Sequence, residues 1–150
     1  MSQTQHPLTT ANFAIISARF DAKAGKALQT LRQTCQAELR VQKVKFTEFR
    51  VPGAFEIPTL AQKILNTRPD FDGIIALGVI VRGETLHFEL VAENCARRLA
   101  DLGVAFAKPV IFGVLTVNSR EQAEARAERG TEFALAAIQL AQTLQEVERG

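Results

Sequence analysis

The chain has 150 residues, 47% of them hydrophobic, which suffices for one domain over 1–150 whose core needs no disulfide or metal to hold it. Its 18 basic and 16 acidic residues give a net charge of +2 and are scattered, which argues against a nucleic-acid or anionic-lipid surface. Residues 1–10 lack the apolar core of a signal peptide and no apolar run approaches a membrane span, so we expect a cytoplasmic protein with an N-terminal arm over 1–11.

The first third of the chain predicts a strand, a helix and a second strand. Residues 13–16 are an apolar run typical of a strand buried on both faces of a sheet. Asp21 is placed to cap a helix over 22–40, and a strand with alternating apolar residues follows over 41–49. The buried face of this helix comprises Ala24, Leu28, Leu31, Cys35 and Leu39.

The middle of the chain predicts a second helix, a central strand and a third helix. Residues 51–53 form a turn, because proline removes a donor and glycine permits unusual dihedral angles, and a helix follows over 55–66. The apolar run 74–81 is the clearest strand, and it ends at the segment 82–85. The next helical face comprises Phe88, Val91, Ala92, Cys95, Leu99 and Leu102. The two cysteines lack a Cys-x-x-Cys spacing, so we expect reduced core thiols.

The last third predicts a fourth strand and two helical segments. The strand covers 110–115, and residues 119–122 have the capping-box pattern that begins a helix. Gly130 is expected to end or kink that helix. The last helix has an apolar face made of Phe133, Ala137, Leu140, Ala141, Leu144 and Val147.

Strands and helices alternate four times, which predicts a three-layer α/β sandwich of flavodoxin-like type. Right-handed crossovers then give a four-stranded parallel sheet with helices on both faces. Ligands of such sheets bind beyond the carboxyl ends of the strands. The unusual residues of this chain fall at the four strand-to-helix junctions, which are 19–21, 52–56, 82–87 and 112–118.

The third junction carries the most chemistry. Gly83 permits a tight turn, and the amides of Glu84 and Thr85 at a helix start would seat a phosphate. The alternative is an ordinary turn in which Thr85 caps the helix. His87, near the mouth of the expected site, is either a proton-transfer group or a hydrogen-bonded structural residue.

The other candidates are individually ambiguous. Phe20 and Phe55 either face a flat heterocycle or cover the sheet edge as core, since the chain has no Trp or Tyr. Glu56 either binds ligand hydroxyls or caps the following helix, and Arg126 alone is typical of a solvated surface. The sequence contains no dinucleotide-binding, Walker, metal-ligand or Ser/His/Asp pattern.

Longer blocks resemble the lumazine synthase family over nearly the whole chain. They are VPGAFEIP at 51–58, GVIVRGET at 78–85 with HF at 87–88, PVIFGVLT at 109–116 with EQA at 121–123 and RA at 126–127, and RF at 19–20. The resemblance implies condensation of 5-amino-6-(ribitylamino)uracil with 3,4-dihydroxy-2-butanone 4-phosphate, without a metal or organic cofactor. It also implies a set of substrate-binding residues, namely Phe20, Ala54, Phe55, Glu56, Ile80, Val81, Gly83, Glu84, Thr85 and Phe112.

The resemblance further implies roles and an assembly. Phe20 would stack on the pyrimidine, His87 would shuttle protons, and Arg126 would be the cation for the phosphate. Family members assemble as pentamers, some as decamers or icosahedral shells, with Phe112 and Arg126 supplied by a neighbour. Riboflavin synthase is the implied pathway partner.

The sequence also departs from the family pattern. The segment after Arg126 is shorter than in many members and lacks their Asn-Lys-Gly, which leaves open whether Arg129 replaces that lysine. Asp21 stands where an asparagine is common, a mild change because either residue caps a helix. Two competing hypotheses are a non-catalytic flavin-binding or assembly protein on the same fold and the related riboflavin synthase of archaea.

Overall fold

A four-stranded parallel sheet forms the centre of the protein, as predicted. The structure is a computed structural model that describes residues 11–19 and 23–150. Its strands lie in the order β2-β1-β3-β4, with β1 and β3 buried almost throughout because helices cover both faces. The strands are β1 (Asn12–Ala18), β2 (Lys45–Val51), β3 (Gly73–Val81) and β4 (Val110–Val117).

Five helices of the described part of the chain form the two outer layers. Helices α1, α4 and α5 pack on one face of the sheet, and α2 and α3 pack on the other, which confirms the predicted three-layer sandwich. Within the described part of the chain, no helix is long and apolar enough to cross a membrane. The helices are α1 (Ala27–Val41), α2 (Ile57–Thr67), α3 (His87–Phe106), α4 (Arg120–Arg126) and α5 (Gly130–Arg149), with short 3-10 turns at Ala54–Glu56 and Ala127–Arg129.

Two predicted boundaries in the first third were wrong. Helix α1 begins at Ala27 instead of 22, because Gly25 has a φ of +61° and belongs to a turn that precedes the helix. Strand β2 begins at Lys45 instead of 41, because α1 continues through Val41 and the chain then turns at Lys43 with a φ of 58°. The predicted buried face of α1 is confirmed, and Asp21 lies outside the described residues.

The final helix was assigned a partly wrong face. Leu140 and Val147 are 40% and 73% exposed, whereas the buried side chains are mostly alanines. These buried residues are Ala134, Ala137, Ile138 and Ala141, and they belong to the core cluster that includes α1. The periodicity of the larger residues was misleading, because α5 packs closely against α1 and its buried face is built mainly from alanines around one isoleucine, Ile138.

The predicted helix start and the two core cysteines are confirmed. Ser119 Oγ accepts a hydrogen bond from the Gln122 amide at 3.1 Å, and Gln122 Oε1 accepts one from the Asn118 amide at 2.7 Å. Burial raises the pKa of the Cys35 and Cys95 thiols to about 12, as expected for structural cysteines.

Candidate functional site

A cleft of about 940 Å³ opens at the carboxyl edge of the sheet. It lies above the ends of β1 and β3, where the chain connections diverge, and this is the position that the fold class favours for a ligand. Nine residues predicted from the sequence line it, namely Ala54, Phe55, Glu56, Ile80, Val81, Gly83, Glu84, Thr85 and His87.

The junction after β3 forms one wall of the cleft. Residues 82–86 lie outside helix and strand, and α3 begins at His87. The Thr85 hydroxyl accepts a hydrogen bond from the His87 amide at 3.2 Å, so this side chain stabilises the helix start. The His87 side chain is exposed on the cleft wall.

The junction after β2 forms the opposite wall. Glu56 Oε1 accepts a hydrogen bond from the Gly53 amide at 2.9 Å, which confirms the capping interpretation of this carboxylate and fixes its place in the cleft. Phe55 is 54% exposed, so the alternative that it is a core residue was wrong. An exposed phenyl ring beside a cleft offers a flat apolar surface to a ring-shaped ligand.

A set of polar contacts around Arg82 fixes the start of the third junction. Arg82 Nε donates to Asn118 Oδ1 at 3.0 Å, its guanidinium pairs with Glu89, and it lies 4.4 Å from the centroid of the Phe88 ring. A backbone amide and the neighbouring Arg82 hold the pKa of the Glu89 carboxyl below its usual value. Arg82 thereby ties the ends of β3 and β4 to the first turn of α3.

A second polar cluster supports the junction after β1. Ser17 Oγ donates to Glu48 Oε2 at 2.7 Å, and Arg32 forms a bidentate pair with the same carboxylate at 2.6 and 2.7 Å. Burial raises the pKa of Glu48, but these hydrogen bonds and the charges of Arg32 and Arg50 outweigh it, so the pKa lies below its usual value. Arg50 also donates to the carbonyl of Ala18, a residue that lines the cleft, at 3.2 Å.

Three predicted site residues do not reach this cleft within one chain. Phe112 is the third residue of β4 and packs against the core on the side of α2 and α3, so its assignment to a strand-to-helix junction was wrong. Arg126 ends α4 and donates to the Gln122 carbonyl at 3.3 Å. Arg129 binds Glu132 at 2.8 Å and lies over the Phe133 ring. Phe20 lies outside the described residues.

Sequence reasoning missed Lys23, which also lines the cleft. The helix predicted over 22–40 includes Lys23 at its start, where a lysine is typical of a solvated face. The carboxylates of the cleft and His87 form no metal site, because no group of three or more potential ligands occurs among the described residues.

The fold and the cleft together define a flavodoxin-like α/β protein with a cleft for a small molecule at the carboxyl edge of its sheet. The sequence model of the 6,7-dimethyl-8-ribityllumazine synthase family matches residues 10–145. A 6,7-dimethyl-8-ribityllumazine synthase of Ruthia magnifica subsp. Calyptogena magnifica is 37% identical, over 94% of this chain and 90% of its own. The Thermus thermophilus enzyme of that name is 36% identical over 98% of both chains. The chain therefore belongs to the 6,7-dimethyl-8-ribityllumazine synthase family.

Proposed function

We propose that this protein is a lumazine synthase of riboflavin biosynthesis. It condenses 5-amino-6-(ribitylamino)uracil with 3,4-dihydroxy-2-butanone 4-phosphate and releases 6,7-dimethyl-8-ribityllumazine, inorganic phosphate and water. The observation that carries the proposal is the family match over residues 10–145, together with a cleft in the position the fold favours. The presence of His87, Arg126 and Gly83-Glu84-Thr85 in the sequence argues against a retired, non-catalytic scaffold.

The two substrates would occupy separate surfaces of the cleft. Phe55, Ile80 and Val81 would contact the pyrimidine, while Glu56 has a second carboxylate oxygen for the hydroxyls of the ribityl chain. The phosphate would lie at the turn over 83–85, where amides ahead of a helix and the positive end of its dipole favour an anion.

The proposed reaction needs orientation and proton transfer more than strong covalent catalysis. The amine of the pyrimidine attacks the ketone carbon, water leaves as the imine forms, phosphate is eliminated, and ring closure releases further water. Holding both substrates in one cleft lowers the entropic barrier. His87 would move protons between the amine, the departing water and the carbon chain.

The first test is to mix the two purified substrates with the protein and follow the absorbance of the lumazine together with phosphate release. Equal amounts of both products would support the proposed reaction. A flavin-binding scaffold would purify yellow and release no phosphate, and an archaeal-type riboflavin synthase would form riboflavin from lumazine supplied alone. Either result would contradict the proposed activity.

We also propose that the protein works in the cytoplasm as a homo-oligomer built on pentamers, with riboflavin synthase as its pathway partner. Several large apolar side chains in and next to α3 are exposed on the single chain and would be buried by a neighbour; they are Leu86, Leu90 and Val104, which are 73%, 66% and 85% exposed. Sedimentation velocity would distinguish a pentamer from a decamer or a larger shell. A monomer at micromolar concentration would refute the assembly.

Mixed assemblies test whether Arg126 is supplied by a neighbour. Subunits carrying His87→Ala and subunits carrying Arg126→Ala would each be weakly active alone. If each cleft combines His87 of one subunit with Arg126 of another, mixed assemblies contain some fully intact clefts and regain activity. If both residues serve the same cleft from one chain, or if Arg126 is a surface residue, mixing gives no gain over the two separate preparations.

A further inference from the structure

The charge distribution of the cleft singles out one lysine. Among the described residues that line the cleft, Lys23 is the only one with a permanent positive charge, while Glu56 and Glu84 contribute carboxylates. A dianionic phosphate entering this cleft would meet two negative side chains and one ammonium group of the same chain. Among the side chains of one subunit that line the cleft, the Lys23 ammonium therefore attracts the anion most strongly.

The position of Lys23 matches the turn where a phosphate would bind. A β-carbon placed on Gly83 would lie 3.4 Å from Lys23 Nζ, so the ammonium lies against the backbone of this turn. Because Gly83 has no side chain, the space beside the Lys23 ammonium at this turn holds no side chain from position 83. A phosphate in that space could accept hydrogen bonds from the ammonium and from the amides of the turn.

The turn that carries Lys23 is built into the fold. Gly25 has a φ of +61°, which a residue with a side chain adopts with strain, and a β-carbon there would lie 2.7 Å from Glu124 Oε2. The turn therefore packs closely against α4 and delays the start of α1 to Ala27. In the helix predicted over 22–40, Lys23 would have been an ordinary surface residue.

We propose that Lys23 binds the phosphate of the phosphorylated substrate and so contributes to the choice of that substrate; this inference rests on the proposed function. An ammonium group provides three donors on a flexible chain, so it can follow the phosphate as the phosphate leaves the carbon skeleton. Its charge stabilises both the bound ester and the free phosphate after elimination.

The test compares phosphate binding by three variants with that of the wild-type, unchanged protein. Lys23→Gln removes the charge, Lys23→Arg keeps it, and Lys26→Gln removes an exposed charge three residues away that does not line the cleft. The primary measurement is the dissociation constant of inorganic phosphate, determined by calorimetry on the full chain without the other substrate. Lys23→Gln should weaken phosphate binding about tenfold, the loss expected for one charge-assisted hydrogen bond at an open site.

The substitutions should also separate the two substrates. Lys23→Gln should raise the KM of the butanone phosphate by a similar factor and leave the KM of the pyrimidine unchanged, while Lys23→Arg stays within about threefold of the unchanged protein. The inference is wrong if Lys23→Gln binds phosphate as well as the unchanged protein, if Lys26→Gln weakens it equally, or if the unchanged protein binds no phosphate. Because phosphate binding is measured without turnover, a missing lumazine product would contradict the proposed function separately.

Discussion

Gly130→Ala should destabilise the protein although it adds a good helix-forming residue. Gly130 has ordinary helical dihedral angles, with φ −52° and ψ −36°, so conformational freedom is not what requires glycine here. The reason is contact with α1: a β-carbon would lie 2.2 Å from the Leu31 carbonyl oxygen, 2.2 Å from Thr34 Oγ1 and 2.8 Å from the Cys35 amide nitrogen. Two of these three atoms belong to backbone and cannot rotate away.

The size of the expected destabilisation follows from how closely the added β-carbon would approach the atoms of α1. Relieving a 2.2 Å contact requires α5 to move about 1 Å from α1, which places the penalty at the upper end of about 1–3 kcal/mol for overpacking. Rotating the Thr34 hydroxyl aside would also break its 2.9 Å hydrogen bond to the Thr30 carbonyl, worth about 1 kcal/mol. The gain from replacing glycine by alanine in a helix offsets about 1 kcal/mol, so the net loss should be about 3 kcal/mol.

Urea unfolding at neutral pH measures this change in the free energy of unfolding. Two protein concentrations should be used, because assembly would stabilise the folded state by mass action. Gly103→Ala, within α3, is the matched control: its β-carbon would lie 3.5 Å from Val110 Cβ, an ordinary contact, so this variant should gain about 0.5–1 kcal/mol. Equal effects of the two substitutions, or an unchanged stability of Gly130→Ala, would refute the close-contact explanation.

Three further predictions concern the described side chains. His87→Ala should slow turnover by about 10- to 1,000-fold and leave assembly intact, and unchanged kinetics would remove it from the mechanism. Glu48→Gln should lower the free energy of unfolding by about 2 kcal/mol at neutral pH, because it leaves Arg32 without its ion pair. The pKa of Glu48 is lower in the folded protein than in the unfolded chain, where it is about 4.5. The difference in urea stability between this variant and the wild-type protein should therefore shrink as the pH falls below about 4.5. Cys35 and Cys95 should react with a thiol reagent at pH 8 only upon unfolding, and fast reaction of the folded protein would contradict their burial.

The central strands of the sheet were predictable because their burial on both faces appears in the sequence as uninterrupted apolar runs. The apolar runs at 13–16 and 74–81 fall within β1 and β3, and short apolar runs of this kind are typical of strands that helices cover on both faces. The errors occurred where tertiary contacts determine the boundary of a helix or its buried face. The turn at Gly25 is stabilised against α4, and the buried face of α5 depends on its distance from α1. Neither contact leaves a local periodic signal.

The candidate site was predictable wherever a residue lies next to a strand end. Glu84, Thr85 and His87 follow β3 directly, so parallel topology alone brings them to the carboxyl edge. Lys23 could not be identified in this way, because its place in the cleft depends on where α1 begins. Its only sequence signal was Gly25, two residues later, which indicates a turn where the periodicity predicts a helix.

The positions of the basic residues in the fold bear on which of them we propose to supply positive charge to the cleft. Arg129 is held by Glu132 and by the Phe133 ring, so it would have to give up both contacts before it could serve any cleft in place of a lysine. The close contact at Gly130 fixes the start of α5 against α1 and leaves the 3-10 turn at Ala127–Arg129 little freedom to rearrange. A cleft that needs positive charge would therefore draw on two sources: Lys23 from its own chain, and Arg126 from a neighbour. Loss of Lys23 should weaken phosphate binding in every assembly. Loss of Arg126 should be rescued in assemblies that mix the Arg126→Ala and His87→Ala subunits.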